Sequence, residues 1–158
     1  MGARTPSQTV GPFFHEAMAW SGGKRLASGD GASIAIVGRI VDGAGAAVPD
    51  AMVEAWQADP PGLGRVLTGA GGDFRFETTM PRGLHPCVEV LVFARGLLKP
   101  VLTRAYLVPI ERARADPAVA AVRESPRFGT LVAAPAGSGE FRWDIRLQGE
   151  GETMFFAT

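Results

Sequence analysis

Hydrophobic residues in this chain recur at a spacing of two or in short unbroken blocks, and glycine or proline separates one block from the next. That pattern predicts short strands. The cleanest alternation is Phe141-Arg142-Trp143-Asp144-Ile145-Arg146-Leu147-Gln148, with its apolar residues on one face and its polar residues on the other. Phe74-Arg75-Phe76-Glu77 alternates in the same way after a turn at Ala70-Gly71-Gly72-Asp73. Residues 88–94 form the most apolar block, with Glu89 its only polar member, and a turn at Gly96 leads to a further strand within 101–108.

The rest is organised around residues 34–57. Ile34-Ala35-Ile36-Val37-Gly38-Arg39-Ile40-Val41 and the run 48–57 read as an antiparallel hairpin, joined by Asp42-Gly43-Ala44-Gly45, because Asp-Gly supplies the positive φ of a tight turn. Ala51, Val53 and Ala55 would share one face, and Met52 and Trp56 the other with Glu54 between them. Pro49 stands at the start of that strand, where a missing N–H is tolerated. Residues 59–64 and 80–86 read as loops. Asp116-Pro117 combines an N-cap with proline at the first helical position, so a short helix is expected over 118–122, ended by Ser125-Pro126. Residues 128–133 are a further candidate strand. The sum is an all-β fold, a two-sheet antiparallel β-sandwich with long loops and one short helix. Residues 1–33 are an N-terminal arm and loop, and 34–158 a single sandwich domain.

Composition narrows the function. The 158 residues carry 16 basic and 16 acidic side chains, a formal net charge of zero, and no basic stripe, so nucleic acid is not an expected partner. Only 20% of the chain is charged while 46% is hydrophobic, which suits a domain that hides surface against another protein. No apolar run is long enough to span a membrane, and the N-terminus lacks the apolar core of a signal peptide. A single cysteine, Cys87, excludes an intrachain disulfide. A cytoplasmic location is the expectation. In the arm, Phe13, Phe14 and Trp20 argue for a segment laid on a surface, its own or a partner's.

Candidate chemistry is sparse, with two histidines and one tyrosine, Tyr106. No nucleophile elbow and no phosphate-binding glycine loop occur. At strand spacing His85, Cys87 and Glu89 could share a face, and all three residue types can bind a metal. The competing reading is structural: a small core cysteine and a paired glutamate. Arg95, at a strand end beside a turn, is either a structural ion pair to Glu54 or Asp50 or an anion clamp at the mouth of a cleft.

Several stretches together resemble the intradiol ring-cleaving dioxygenases, and within them the iron-free α-type subunits. They are Thr5-Pro6-Ser7-Gln8-Thr9-Val10-Gly11-Pro12-Phe13, Val53-Glu54-Ala55-Trp56-Gln57-Ala58-Asp59, and the C-terminal Gln148-Gly149-Glu150-Gly151-Glu152-Thr153-Met154-Phe155-Phe156 that follows the alternating segment. Leu91-Val92-Phe93-Ala94-Arg95-Gly96 and Thr103-Arg104-Ala105-Tyr106 add a looser match. The resemblance implies a catechol cleaved between its hydroxyls by O2 at a ferric ion, Fe(III), held by two tyrosinates and two histidines. The His-x-His places hold Cys87 and Glu89 here, and residues 59–86 contain no tyrosine. The resemblance therefore implies that this chain holds no iron of its own and that the iron sits in a homologous β subunit, in a higher-order hetero-oligomer acting on protocatechuate. Carried over position by position, Thr9, Gly11, Pro12, Phe13 and Arg95 would help line the shared pocket, with Phe13 standing where tyrosine is expected. The rival reading is a stand-alone β-sandwich binding or accessory module without catalysis.

Overall fold

The structure, a computed structural model, describes Gly11 and residues 17–157. Among these residues the strands are β1 Ser33–Val41, β2 Met52–Gln57, β3 Gly62–Leu67, β4 Asp73–Thr79, β5 Cys87–Phe93, β6 Val101–Tyr106, β7 Ala134–Gly137, β8 Glu140–Arg142 and β9 Ile145–Arg146. One sheet runs β4-β1-β8-β7, with β9 also on β1; the other runs β3-β2-β5-β6. Between them lies a core built from Ile36, Ile40, Phe76 and Ile145 on one side and Val53, Ala55, Val88 and Val92 on the other. The β-sandwich expected from strand alternation is the architecture.

The hairpin expected at its centre is not. β1 and β2 belong to opposite sheets. The Asp42 turn does form, since the Asp42 carboxylate accepts the Ala44 and Ala46 amides at 2.9 Å, but pairing ends after one bridge, Val41 to Ala47. The chain then crosses the edge of the sandwich. Thr68 holds the crossing, its hydroxyl donating to Val48 O at 2.8 Å and accepting from Ala51 N at 2.9 Å. In a hairpin Val53 and Ala55 would lie beside Ile34 and Ile36. In the sandwich they lie opposite them, and both sets leave water.

Residues 62–64, expected as loop, begin β3, and their glycines serve a close approach rather than a turn. A Cβ at Gly62 would stand 2.0 Å from Leu26 O, and one at Gly64 2.6 Å from Gly23 O. Residues 23–26 lie against this strand. Gly23 O accepts from Arg65 N at 2.8 Å, and Leu26 N donates to Glu77 O at 2.9 Å, so the segment clasps the edge strands of both sheets. Leu26 is buried in the core.

The alternating C-terminal segment is broken in two. β8 and β9 both run parallel to β1, and Asp144 Oδ1 between them accepts the Arg39 amide at 2.9 Å, a side chain standing in for a ladder carbonyl. Its apolar face holds nevertheless: Trp143 and Ile145 are buried, and Phe141 and Leu147 pack at the margin.

The helix expected over 118–122 is a 3₁₀ turn, Pro117–Val119, which Asp116 caps through Ala118 N at 2.9 Å. An α-helix, α1, lies upstream at Ile110–Arg114. Residues 128–131 form a second 3₁₀ turn instead of a strand. These pieces fold over the end of β6 and build a second apolar cluster of Tyr106, Ala113, Val119, Phe128, Leu131 and Met154.

Candidate functional site

β5 and β6 lie side by side, with Cys87 opposite Tyr106 and Glu89 opposite Arg104. The inward positions of β5 are valines, so Cys87 and Glu89 point away from the core, where Arg104 and Tyr106 also point. Glu89 is ion-paired with Arg104, and both side chains are mostly buried. Arg104 also reaches Asp116 at 3.1 Å and the Tyr106 hydroxyl at 2.9 Å, and that hydroxyl donates to Asp116 at 2.7 Å. Its guanidinium lies over the Tyr106 ring, 5.6 Å from the centroid. The one buried side-chain nitrogen without a hydrogen bond among the described residues is Arg104 Nε.

This network sets the ionisation of its members. Burial raises the Cys87 pKa to about 11, against a smaller opposing pull from Arg104. Burial followed by donation to Asp116 raises the Tyr106 phenol above its ordinary range. Burial would weaken the charge on Arg104, yet its bonds to Glu89 and Tyr106 outweigh that and hold it protonated. Burial would likewise raise Asp116, but the Tyr106 hydroxyl, the Ala118 amide and Arg104 together lower it. At neutral pH the cluster is a thiol, a neutral phenol and a guanidinium between two carboxylates.

His85, Cys87 and Glu89 do line one cavity of about 240 Å³, with Trp56 and Arg82 on its rim. They do not converge as ligands. His85 Nδ1 contacts Arg112 O at 2.8 Å, Glu89 is taken by Arg104, and no group of three or more metal-binding side chains occurs among the described residues. A ferric ion does not fit this donor set. The cationic place is filled by Arg104, the phenol is protonated and hydrogen-bonded elsewhere, and the thiol is neutral. Sequence reasoning anticipated a paired Glu89 and a small core Cys87, but did not name Arg104 as the partner and saw Asp116 only as a cap. The signal was present: Arg104 lies in a strand of otherwise apolar and small residues, where a charge needs a partner.

Arg95 is not part of this cluster. It follows the far end of β5, about 25 Å from Cys87 by strand rise, and pairs through Nε with Asp50 while its own side chain stays 58% exposed. Of the arm positions, Gly11 has φ +85°, a conformation suited to glycine, while Thr9, Pro12 and Phe13 lie outside the described residues.

The fold defined by these two sheets is that of intradiol dioxygenases. It is similar to the dioxygenase domain of a dioxygenase–carbohydrate-binding fusion protein from Streptomyces sp. SirexAA-E, with a TM-score of 0.58 and 21% identity over 93% of this chain and 99% of that one. It is also similar to catechol 1,2-dioxygenase from Acinetobacter sp. ADP1, with a TM-score of 0.55 and 18% identity over 77% of this chain, which spans 55% of the larger enzyme. No protein-family model matches the chain. Curated relatives do. The protocatechuate 3,4-dioxygenase α chain of Pseudomonas putida is 32% identical, with 96% of this chain and 95% of the relative covered. That of Burkholderia cepacia is 33% identical, with 97% and 96% covered. The chain belongs to the intradiol ring-cleavage dioxygenase family, an oxidoreductase family, and within it resembles the α chains. The first alignment extends over 191 positions, more than the 158 residues here, so the relative carries stretches that this chain lacks.

Proposed function

We propose that the chain is the iron-free α-type subunit of a protocatechuate 3,4-dioxygenase. In this reading a homologous β subunit holds Fe(III), and the complex opens protocatechuate between its hydroxyls with O2 to give 3-carboxy-cis,cis-muconate. The observation that carries the reading is the Glu89–Arg104–Asp116 network: of the two residues that the resemblance matches to the family's histidines, Cys87 and Glu89, the second is committed to Arg104, which also pairs with Asp116. End-to-end similarity to α chains supports the same assignment.

Ring cleavage is then the partner's chemistry, and this chain's part is to bind and orient substrate. Arg95 is suited to that. Asp50 steadies its guanidinium through Nε while most of the side chain remains accessible, and a planar guanidinium matches a carboxylated aromatic acid. Thr9, Gly11, Pro12 and Phe13 are assigned by the arm motif to the same shared pocket.

Co-expression with the iron-bearing β chain tests the proposal. A stable complex that consumes protocatechuate and O2, where this chain alone does neither, is the expected result. Failure to co-purify, or ring cleavage by this chain alone, overturns it.

A further inference from the structure

An open groove of about 800 Å³ lies away from the Arg104 cluster, on the other sheet. Strand register sets its floor. Val37 on β1 stands opposite Arg75 on β4 and opposite Arg142 on β8, and Arg39 follows two residues along β1. The core takes Ile36 and Ile40, so Val37 and Arg39 face outward. Matched positions of paired strands project to the same face. An apolar floor is thereby flanked by three guanidiniums. Residues 18–24 supply further lining, held to the edge strands by Gly23 O and Lys24 O, which accept from Arg65 N at 2.8 Å and Glu77 N at 2.7 Å. Met18 and Trp20 in this segment are 40% and 49% exposed.

The charge of the lining is one-sided. Lys24, Arg39, Arg65, Arg75 and Arg142 line the groove against a single acid, Asp73. Glu54 pairs with Arg65, Glu77 and Glu140 with Arg75, and Asp144 with Arg142, but none of these carboxylates belongs to the lining. Arg75 and Arg142 remain about half exposed. Arg39 has no carboxylate partner among the described residues. Its Nε donates to Gly71 O at 2.9 Å, which leaves both Nη groups for a ligand.

We infer that this groove binds a planar organic anion carrying two or more carboxylates. A guanidinium presents a planar fork that a carboxylate matches. Paired strands lie about 4.8 Å apart, so Arg75 and Arg142 start roughly 10 Å from each other across β1. One carboxylate can engage one of them, whereas two carboxylates on a rigid frame engage two at once. Val37, Leu67 and Trp20 add apolar and aromatic surface between the charges, which suits a conjugated frame better than a hydrated inorganic ion. Gly23 N is spent on Trp20 O at 3.1 Å, so Gly22-Gly23 offers no pair of free amides to cradle a phosphate. The volume falls within the ~300–1,000 Å³ of small-ligand sites. On the subunit reading above, the ring-opened product, with three carboxylates on a diene, is a ligand of this class, but the site stands on the groove alone.

Isothermal titration calorimetry of the full chain with cis,cis-muconate, a planar diene bearing two carboxylates, tests the site. Sorbate, a diene of the same length with one carboxylate, and inorganic phosphate are the comparison ligands. Muconate should bind at least ten-fold more tightly than either, and its affinity should fall as salt rises. Arg39→Ala combined with Arg142→Ala should weaken muconate binding at least ten-fold. Arg123→Ala combined with Arg127→Ala removes the same charge outside the groove and should leave binding unchanged. Melting temperature is the folding control, and if the groove double variant does not fold, Arg142→Gln alone should weaken binding in the same direction. No binding of muconate, equal binding of sorbate or phosphate, a folded groove variant that binds like wild type, or equal weakening by both double variants overturns the site. Each of these outcomes leaves the subunit reading intact, because co-purification with a β chain is a separate measurement.

Discussion

Arg104 stands directly across the β5–β6 ladder from Glu89, and the two form an ion pair whose side chains are both mostly buried. The guanidinium holds Glu89 on one side and Asp116 on the other. Removing it leaves two carboxylates facing each other in a mostly buried site. Arg104→Met should cost about 3 kcal/mol of unfolding free energy, because breaking a buried pair strands its partner. Arg104→Met with Glu89→Met should cost less than the single change, since only Asp116 then loses its cation, and it keeps the Tyr106 hydroxyl and the Ala118 amide. Urea denaturation of the two variants measures the difference.

The same cluster makes stability depend on pH at both ends. The folded-state pKa of Asp116 is lowered, chiefly by Tyr106 against the opposing effect of burial. Its contribution is therefore present above the unfolded value of about 3.9 and is lost as pH falls through the folded one. Asp116→Asn should flatten the acid limb of the stability profile. Cys87 has the opposite sign. Its pKa is raised by burial from 9.0 to about 11, so its contribution is complete below 9 and lost as pH rises toward 11. Cys87→Ala should reduce the alkaline loss, as followed by melting temperature from pH 8 to 11. A thiol this reluctant to ionise should also react slowly with a disulfide reagent at pH 8.

Isolated chain mixed with ferric salt should remain colourless and inactive. The tyrosinate-to-iron absorption needs ionised phenols, and the only tyrosine is Tyr106, whose proton is committed to Asp116 at 2.7 Å. A visible spectrum and an oxygen-uptake assay check this. Appearance of a charge-transfer band would contradict the site as described.

In the complex, Arg95→Ala should raise KM for protocatechuate about ten- to 150-fold, the equivalent of a charge-assisted hydrogen bond of about 1.5–3 kcal/mol. An uncharged catechol should be affected far less. Arg95→Lys should rescue in part, keeping the charge and losing the planar fork. If the contact with Asp50 is the whole role of Arg95, the alanine variant will instead melt lower and penalise both substrates alike.

The gene-encoded pattern was enough for the β-sandwich and for most of its strands. Period-two alternation depends only on which face of a strand meets the core, and Phe74, Phe76, Val88, Val90 and Val92 are buried as that rule requires. The family was equally legible, carried by short motifs near both termini. What local patterning cannot contain is the choice of partner. Ile34–Val41 and Met52–Gln57 look like a hairpin because each is a good strand beside a good turn, yet core burial sends them to opposite sheets. Gly62 and Gly64 look like loop because glycine usually marks one, until Gly23 and Leu26, far away in sequence, need the space. In one dimension Arg104 signals only that it needs some partner, and Asp116 only that it caps a turn. Only the packing of β6 against β5, with the 3₁₀ turn capped by Asp116 folded over them, brings guanidinium, carboxylates, phenol and thiol into one cluster, because ion pairs form across strands and turns and leave no period in the sequence.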